Sequence, residues 1–165
     1  MTIRRTMTAV SLALAALSLA ACGGGSPSAI GSAGSNATKT ADDVTKTLGE
    51  KIASVKLIKT YTPEDDPNHL LGRPNGYTSK TAFSDSRVKQ SDVEYLGSDA
   101  VERGGSVEVF GDEAGAKARM KFIQTVSKSL PSVGEYDYVN GAVLVRVSRL
   151  LTPDQAKEYE TALNG

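Results

Sequence analysis

The sequence predicts an α+β domain: an antiparallel sheet of four to five strands with helices packed on one face. This is a two-layer sandwich, with a ferredoxin-like connectivity as one candidate. Three observations carry it. Residues 112–130 repeat apolar side chains at helical spacing, Asn140-Gly141 sits between two alternating runs, and Thr152-Pro153-Asp154-Gln155 reads as a helix start. Strands and helices grouped in this way, without regular strand–helix alternation, give antiparallel sheets with helices laid over them.

Each element has its own signal. Thr40 can cap a helix whose first turn holds Asp42 and Asp43, where the helix dipole favours acids. Ala41, Val44, Leu48 and Ile52 then recur on one side. Residues 55–62 read as a strand, with Val55, Leu57 and Lys59 on one side and Ile58 and Thr60 on the other. Residues 63–76 read as loop. Residues 78–85 alternate weakly as a second strand, with Tyr77, Thr81 and Phe83 sharing a face. Residues 86–104 show no clear period. A short strand follows over 106–110, with Val107 and Val109 on one face.

Over 112–130, Ala116, Met120, Ile123, Val126 and Leu130 line the expected inner side, with Phe122 beside them. Pro131 ends this helix. Asn140-Gly141 is a strong hairpin signal. A two-residue loop there pairs Val139 with Ala142, Tyr138 with Val143, Tyr136 with Val145 and Glu135 with Arg146. Tyr136, Tyr138, Val143, Val145 and Val147 then share the core face. In the last helix Thr152 is the cap, Pro153 takes the first helical position and Gln155 completes a capping box. Leu151 and Ala156 form a staple, and Ala156, Tyr159 and Leu163 face inward.

The domain occupies residues 40–165. Ahead of it, residues 1–21 read as a cleavable export signal. Arg4 and Arg5 precede an apolar stretch from Ala9 to Ala21, shorter than the roughly 18–20 residues a membrane span needs. The Arg pair raises the twin-arginine export route, although Thr8 falls where that signal carries an apolar residue. Leu19-Ala20-Ala21-Cys22 matches the lipobox of bacterial lipoprotein signals. That resemblance implies cleavage between Ala21 and Cys22 and a diacylglyceryl group on the Cys22 thiol. Two acyl chains on one residue meet the requirement for stable anchoring, which a single chain does not. Residues 22–39 follow as a Gly/Ser/Ala tether spanning roughly 20–24 Å r.m.s.. The expected location is the cell membrane, lipid-anchored on its extracytoplasmic face.

Composition removes several function classes. Lys plus Arg and Asp plus Glu both number 19, which argues against a nucleic-acid partner. One His, one Cys and no Trp leave no two-His metal site, CxxC motif or disulfide framework. No cofactor is implied.

The segment from Glu64 to Lys80 stands out. It holds two of the six prolines, with Pro63 just before it, and the only His, and loops of this length are often functional. Its pattern D-P-N-x-L-L-G-R-P-x-G-Y-x-S-K, with Phe83 and Asp85 after it, resembles a family of small lipoproteins and secreted proteins of unknown function from Gram-positive bacteria, of actinobacterial type. The resemblance extends over about residues 55–165, through Val107-Glu108-Val109-Phe110 and the hairpin.

Four readings of this loop compete. In the structural one, the prolines and glycines shape turns, Leu70 and Leu71 pin the loop to the core, and Arg73 pairs with Asp65, Asp66 or Asp85. In the recognition one, Arg73, Tyr77 and Lys80 supply side chains typical of binding hot spots, beside Asp65, Asp66, Asn68 and His69, for an envelope protein or cell-wall ligand. In the metal one, Glu64, Asp65, Asp66 and Asn68 offer hard oxygens, without EF-hand spacing. In the enzymatic one, an envelope hydrolase uses His69 as base, Asp85 as orienter and Ser79 or Ser84 as nucleophile. No G-x-S-x-G, H-E-x-x-H or Walker spacing is present. The paucity of catalytic side chains favours a non-enzymatic binding module. Elsewhere, Tyr136 and Tyr138 read as core, and Lys117, Arg119, Lys121 and Lys128 read as the solvated side of a helix. The competing reading of those four is a basic face for acidic lipids or teichoic acids.

Overall fold

A computed structural model of the chain describes residues 39–165. The expected signal over 1–21, Cys22 and all but the last residue of the tether fall outside them. In chain order the elements are α1 (Ala41–Lys51), β1 (Val55–Thr60), β2 (Tyr77–Asp85), β3 (Gly104–Phe110), α2 (Glu113–Ser129), β4 (Glu135–Asn140), β5 (Val143–Ser148) and α3 (Pro153–Asn164). The sheet order is β1-β2-β3-β5-β4, and every neighbouring pair is antiparallel. The α+β class and the five-stranded antiparallel sheet with helices packed on it follow the sequence, but the helices take both faces rather than the one expected. The ferredoxin-like candidate is not the connectivity adopted. That pattern runs β-α-β-β-α-β; here only α2 makes such a crossover, joining β3 to the parallel β4 with β5 between them, while β1, β2 and β3 follow one another directly and α2 lies on the sheet face opposite α3.

The starts of α1 and α3 are capped by the residues expected. Thr40 and Asp43 form a reciprocal capping box on α1, and Thr152 and Gln155 form one on α3. Asp112 caps α2 by accepting from the Gly115 amide at 2.8 Å. α1 and α3 cover one face of the sheet. Ala41, Val44, Leu48, Ala156, Tyr159 and Ala162 pack there against Phe83, Val107, Val109, Val145 and Val147. The Phe83 and Tyr159 rings stack with centroids 5.5 Å apart. α2 lies across the opposite face, where Ala116 and Ile123 join Tyr61, Leu71, Tyr77, Phe110 and Leu144. β3 is buried along its whole length as a result. Helical periodicity shows that a helix has an inner side; it does not say which face of the sheet that side meets.

Two irregularities change the predicted facing of side chains. A register shift between Leu57 and Lys59 interrupts the β1–β2 ladder. β1 is an edge strand, and both Leu57 and Ile58 stay exposed. A second shift falls between Tyr77 and Ser79 in the β2–β3 ladder. It turns Tyr77 onto the α2 side, while Thr81 and Phe83 keep the other, so the three do not share a face as the alternation predicted.

The hairpin register also differs. Asn140 pairs with Val143 and Tyr138 with Val145, so Gly141-Ala142 is the two-residue loop. Only Gly141 of the loop takes positive φ, at 53°. Glycine first with a single positive φ is the type II′ pattern. The expected Val139–Ala142 pairing is thus displaced by two residues. An even displacement preserves facing, and Tyr136, Tyr138, Val143, Val145 and Val147 do share the α1/α3 side.

Candidate functional site

The segment from Tyr61 to Lys80 closes on itself around Asp66, which has no exposed surface. Its carboxylate accepts from the Leu70 amide at 2.8 Å, the Leu71 amide at 3.2 Å, the Tyr77 hydroxyl at 2.6 Å and Lys80 Nζ at 2.9 Å. Burial alone would raise the Asp66 pKa. The bonds from Tyr77, Lys80 and Leu70 outweigh burial and hold it well below the usual carboxylate range. The Lys80 ammonium also lies 4.4 Å from the centre of the Tyr61 ring. Lys59 ties the loop from outside, reaching Asp65 at 3.2 Å and Asp99 at 3.4 Å. Breaking a buried pair such as Lys80–Asp66 by truncating one partner typically costs ~3–5 kcal/mol, because the other charge is left without a partner.

These contacts decide among the readings of the loop. Tyr77 and Lys80, expected as surface recognition residues, are buried and spent on Asp66. Asp66 likewise points inward, away from an oxygen cage with Glu64, Asp65 and Asn68; no three His, Cys, Asp or Glu side chains converge as a metal site among the described residues. Asp65 accepts from the Thr62 amide as well as from Lys59. Asn68, His69 and Arg73 remain exposed. His69 and Asn75 take positive φ, at 52° and 63°. Arg73 makes none of the ion pairs proposed for it with Asp65, Asp66 or Asp85; it borders a cleft with Thr78, Phe110 and Asp112.

The hydrolase constellation does not assemble. Asp85 is buried against α3, with Arg87 bridging both its oxygens and the Tyr159 hydroxyl donating at 2.6 Å. Ser79 Oγ accepts from the Ala41 amide at 2.8 Å. Neither contacts His69.

A second polar network, which sequence reasoning missed, lies under α2. Glu108 of β3 has no exposed surface and accepts from Arg119 of α2 and Arg146 of β5, each at 3.1 Å. Arg146 also grips Glu135 of β4 through Nε at 2.6 Å and Nη2 at 2.8 Å. With its amide oxygen turned inward, Asn68 accepts from Arg119 at 3.2 Å and Lys80 at 3.1 Å, linking the loop to this network. Asp137 stands at its end, and its Oδ1 is buried without a partner. Burial first, then the neighbouring Glu135, pushes the Asp137 carboxyl up to about 8. The sequence signal was present: Glu108 and Arg146 are each the one charged residue in their strand. Alternation read those positions as solvent-facing, and α2 covers them instead.

Above the network is a cleft of about 270 Å³, lined by Asn68, Glu102, Arg119, Phe122, Val126 and Val133. Its apolar wall continues onto open surface. Of the α2 residues expected in the core, Ala116 and Ile123 are buried, whereas Phe122 is 59 % exposed and Leu130 55 %. Val126 and Val133 are exposed as well. The inner face of α2 is narrower than its apolar sequence. No protein-family profile, curated protein or solved structure matches the chain.

Proposed function

We propose that this protein is a lipid-anchored, extracytoplasmic, non-enzymatic interaction module of the cell envelope, held by Cys22 and presenting the outer surface of α2. The anchor reading is supported by the lipobox Leu19-Ala20-Ala21-Cys22, by its placement of the chain's one Cys, and by the glycine-rich segment that follows. The resemblance of residues 55–165 to small Gram-positive lipoproteins supports the same address.

The observation that carries the interaction reading is the contrast between α2 and the 61–80 loop. Asp66, Tyr77 and Lys80 of the 61–80 loop are spent on one another, and the oxygens of Asp85 are spent on Arg87 and Tyr159. α2 instead leaves four large apolar side chains in its surroundings open to solvent, joined to a cleft. A contiguous exposed apolar patch beside polar groups is a mark of an interaction surface. The binding role therefore moves from Tyr77 and Lys80 to Phe122, Val126, Leu130 and Val133.

The anchor is tested in cells that express the full chain and its Cys22→Ala variant. The native chain should incorporate a labelled fatty acid and sediment with membranes. The variant should take up no label and leave the membrane fraction. A native chain without label, or a variant retained equally, removes the anchor from the proposal.

A further inference from the structure

We infer that Asp137 is a proton-operated latch on α2: with its carboxyl neutral the helix is seated on β4 and β5, and loss of that proton releases the helix and the apolar surface it carries. This inference rests on the reading of α2 as the presented surface and names how that surface is regulated.

The latch follows from a count of charges. Beneath α2, Glu108 accepts from Arg119 Nε and Arg146 Nη1, and Glu135 accepts from Arg146 Nε and Nη2. All four carboxylate oxygens are held by guanidinium groups, and two anions balance two cations. Asp137 is a third acid in this cluster. It stands directly opposite Arg146 in the β4–β5 ladder, yet each nitrogen of that guanidinium is already bonded to Glu135 or Glu108. Asp137 forms no ion pair among the described residues, and its Oδ1 is buried without a partner. A neutral carboxyl suits this position, because its proton bonds to Glu135. An ionised one sets three anions against two cations. Arg119 is the α2 charge bonded into the cluster; Lys117, Lys121 and Lys128 are exposed. Glu102, ahead of β3, borders the cleft above and adds no cation.

Asp137 lies on the covered side of β4. Tyr136 and Tyr138 pack toward α1 and α3, so Glu135, Asp137 and Val139 alternate onto the α2 side, where Val139 joins the core. Burying an uncompensated charge costs far more than burying a neutral acid bonded to a neighbour. Lifting α2 admits water to Asp137, and the hold on the helix is light. Ala116 and Ile123 are its buried residues, and Arg119–Glu108 is its one ion pair to the sheet among the described residues.

With α2 seated, burial and the neighbouring Glu135 keep the carboxyl protonated up to about 8; with α2 released, it returns toward 3.8. Between those values the seated state binds the extra proton. Acid therefore favours the seated helix. The released fraction grows by up to about tenfold per pH unit as pH rises through the window, and the dependence ends above the upper value.

The test follows amide exchange in the full chain from about pH 5 to pH 8, corrected for the intrinsic pH dependence of exchange. Across Glu113–Ser129, protection should fall by at least about tenfold relative to Asp137→Asn, which keeps the shape and has no proton to lose. This exchange should carry a weaker urea dependence than exchange in β3, because releasing one helix exposes less surface than unfolding the sheet. Glu135→Gln supplies the opposite check. It removes one anion, so an ionised Asp137 becomes the second acid for the two guanidinium groups, and α2 should stay protected at the alkaline end. The inference is overturned if native and Asp137→Asn protection run parallel with pH. It is also overturned if α2 and β3 share one urea dependence, or if Glu135→Gln keeps the native pH profile. The readout uses no partner, lipid or anchor, so a negative result removes the latch and leaves the presented surface standing. Failed labelling of Cys22 in cells with a positive result here removes the anchor and leaves the latch.

Discussion

At the scale of single residues, the most consequential position is Asp137. Its neighbours are Glu135, Arg146 and the underside of α2, and one of its oxygens has no partner. Its carboxyl keeps a proton in the folded protein up to about pH 8, whereas the unfolded chain releases it near the ordinary value of 3.8. Between those values the folded state binds more protons than the unfolded state. Stability from this group is therefore full below the lower value, falls as pH rises through the window and levels off above the upper one. Asp137→Asn keeps the shape and removes the titration. Thermal melts at pH 5, 6.5 and 8 should show the native Tm falling relative to the variant, with the variant ahead by about 3 °C or more at the alkaline end. Parallel curves would refute the assignment. Sequence alternation placed Asp137 opposite Tyr136 and Tyr138, but on a face taken for solvent. The expected cross-strand pair was Glu135 with Arg146; in the adopted register Arg146 stands opposite Asp137 and reaches Glu135 diagonally, and the cover above them was not legible.

At the scale of elements, the α3 capping box was readable because it depends on residues three apart, whereas on α1 only the Thr40 cap was read and the return bond from Asp43 was not. The bulge that turns Tyr77 was not, because a register shift is set by the partner strand. Gly104-Gly105 read only as the end of an irregular stretch, and its role appears in the sheet. Gly105 pairs with Phe83 across β2 and β3. A Cβ there would overlap both the Phe83 ring and the Arg146 carbonyl oxygen. Gly105→Ala should cost about 1–3 kcal/mol, the usual range for overpacking, seen as a lowered urea midpoint. Adding Phe83→Leu should not restore it, since the backbone carbonyl remains in the way. Full recovery in the double variant would show that the aromatic ring alone sets the constraint. α2 gives the complementary lesson. Its period was correct, but a stripe wide enough for a core included Phe122 and Leu130, which the sheet does not cover.

At the scale of the whole molecule, the sheet separates two apolar cores of unequal size. The α1/α3 side gathers sixteen buried residues and the α2 side eight. The lighter side also depends on the Glu108 and Asp66 networks. Local opening follows buried contact density, so α2 should open before the sheet does. Native-state amide exchange should find β3 amides exchanging only through global unfolding, with α2 amides exchanging through a smaller opening. Equal protection of the two would show one cooperative unit. The α+β class and the hairpin were legible because they rest on local periodicity. The division into two cores was not, because it depends on which face each helix meets.

β1 has a consequence for how copies of the protein behave together. Among the described residues its outer edge has no sheet neighbour, and Leu57 and Ile58 are exposed beside it. Such an edge is a template on which a second chain can add a strand. Lys56 and Lys59 flank the apolar pair, and the irregularity between Leu57 and Lys59 breaks the regular row of backbone donors and acceptors. Together they guard the edge against aggregation, which matters most wherever the protein is crowded against its own kind.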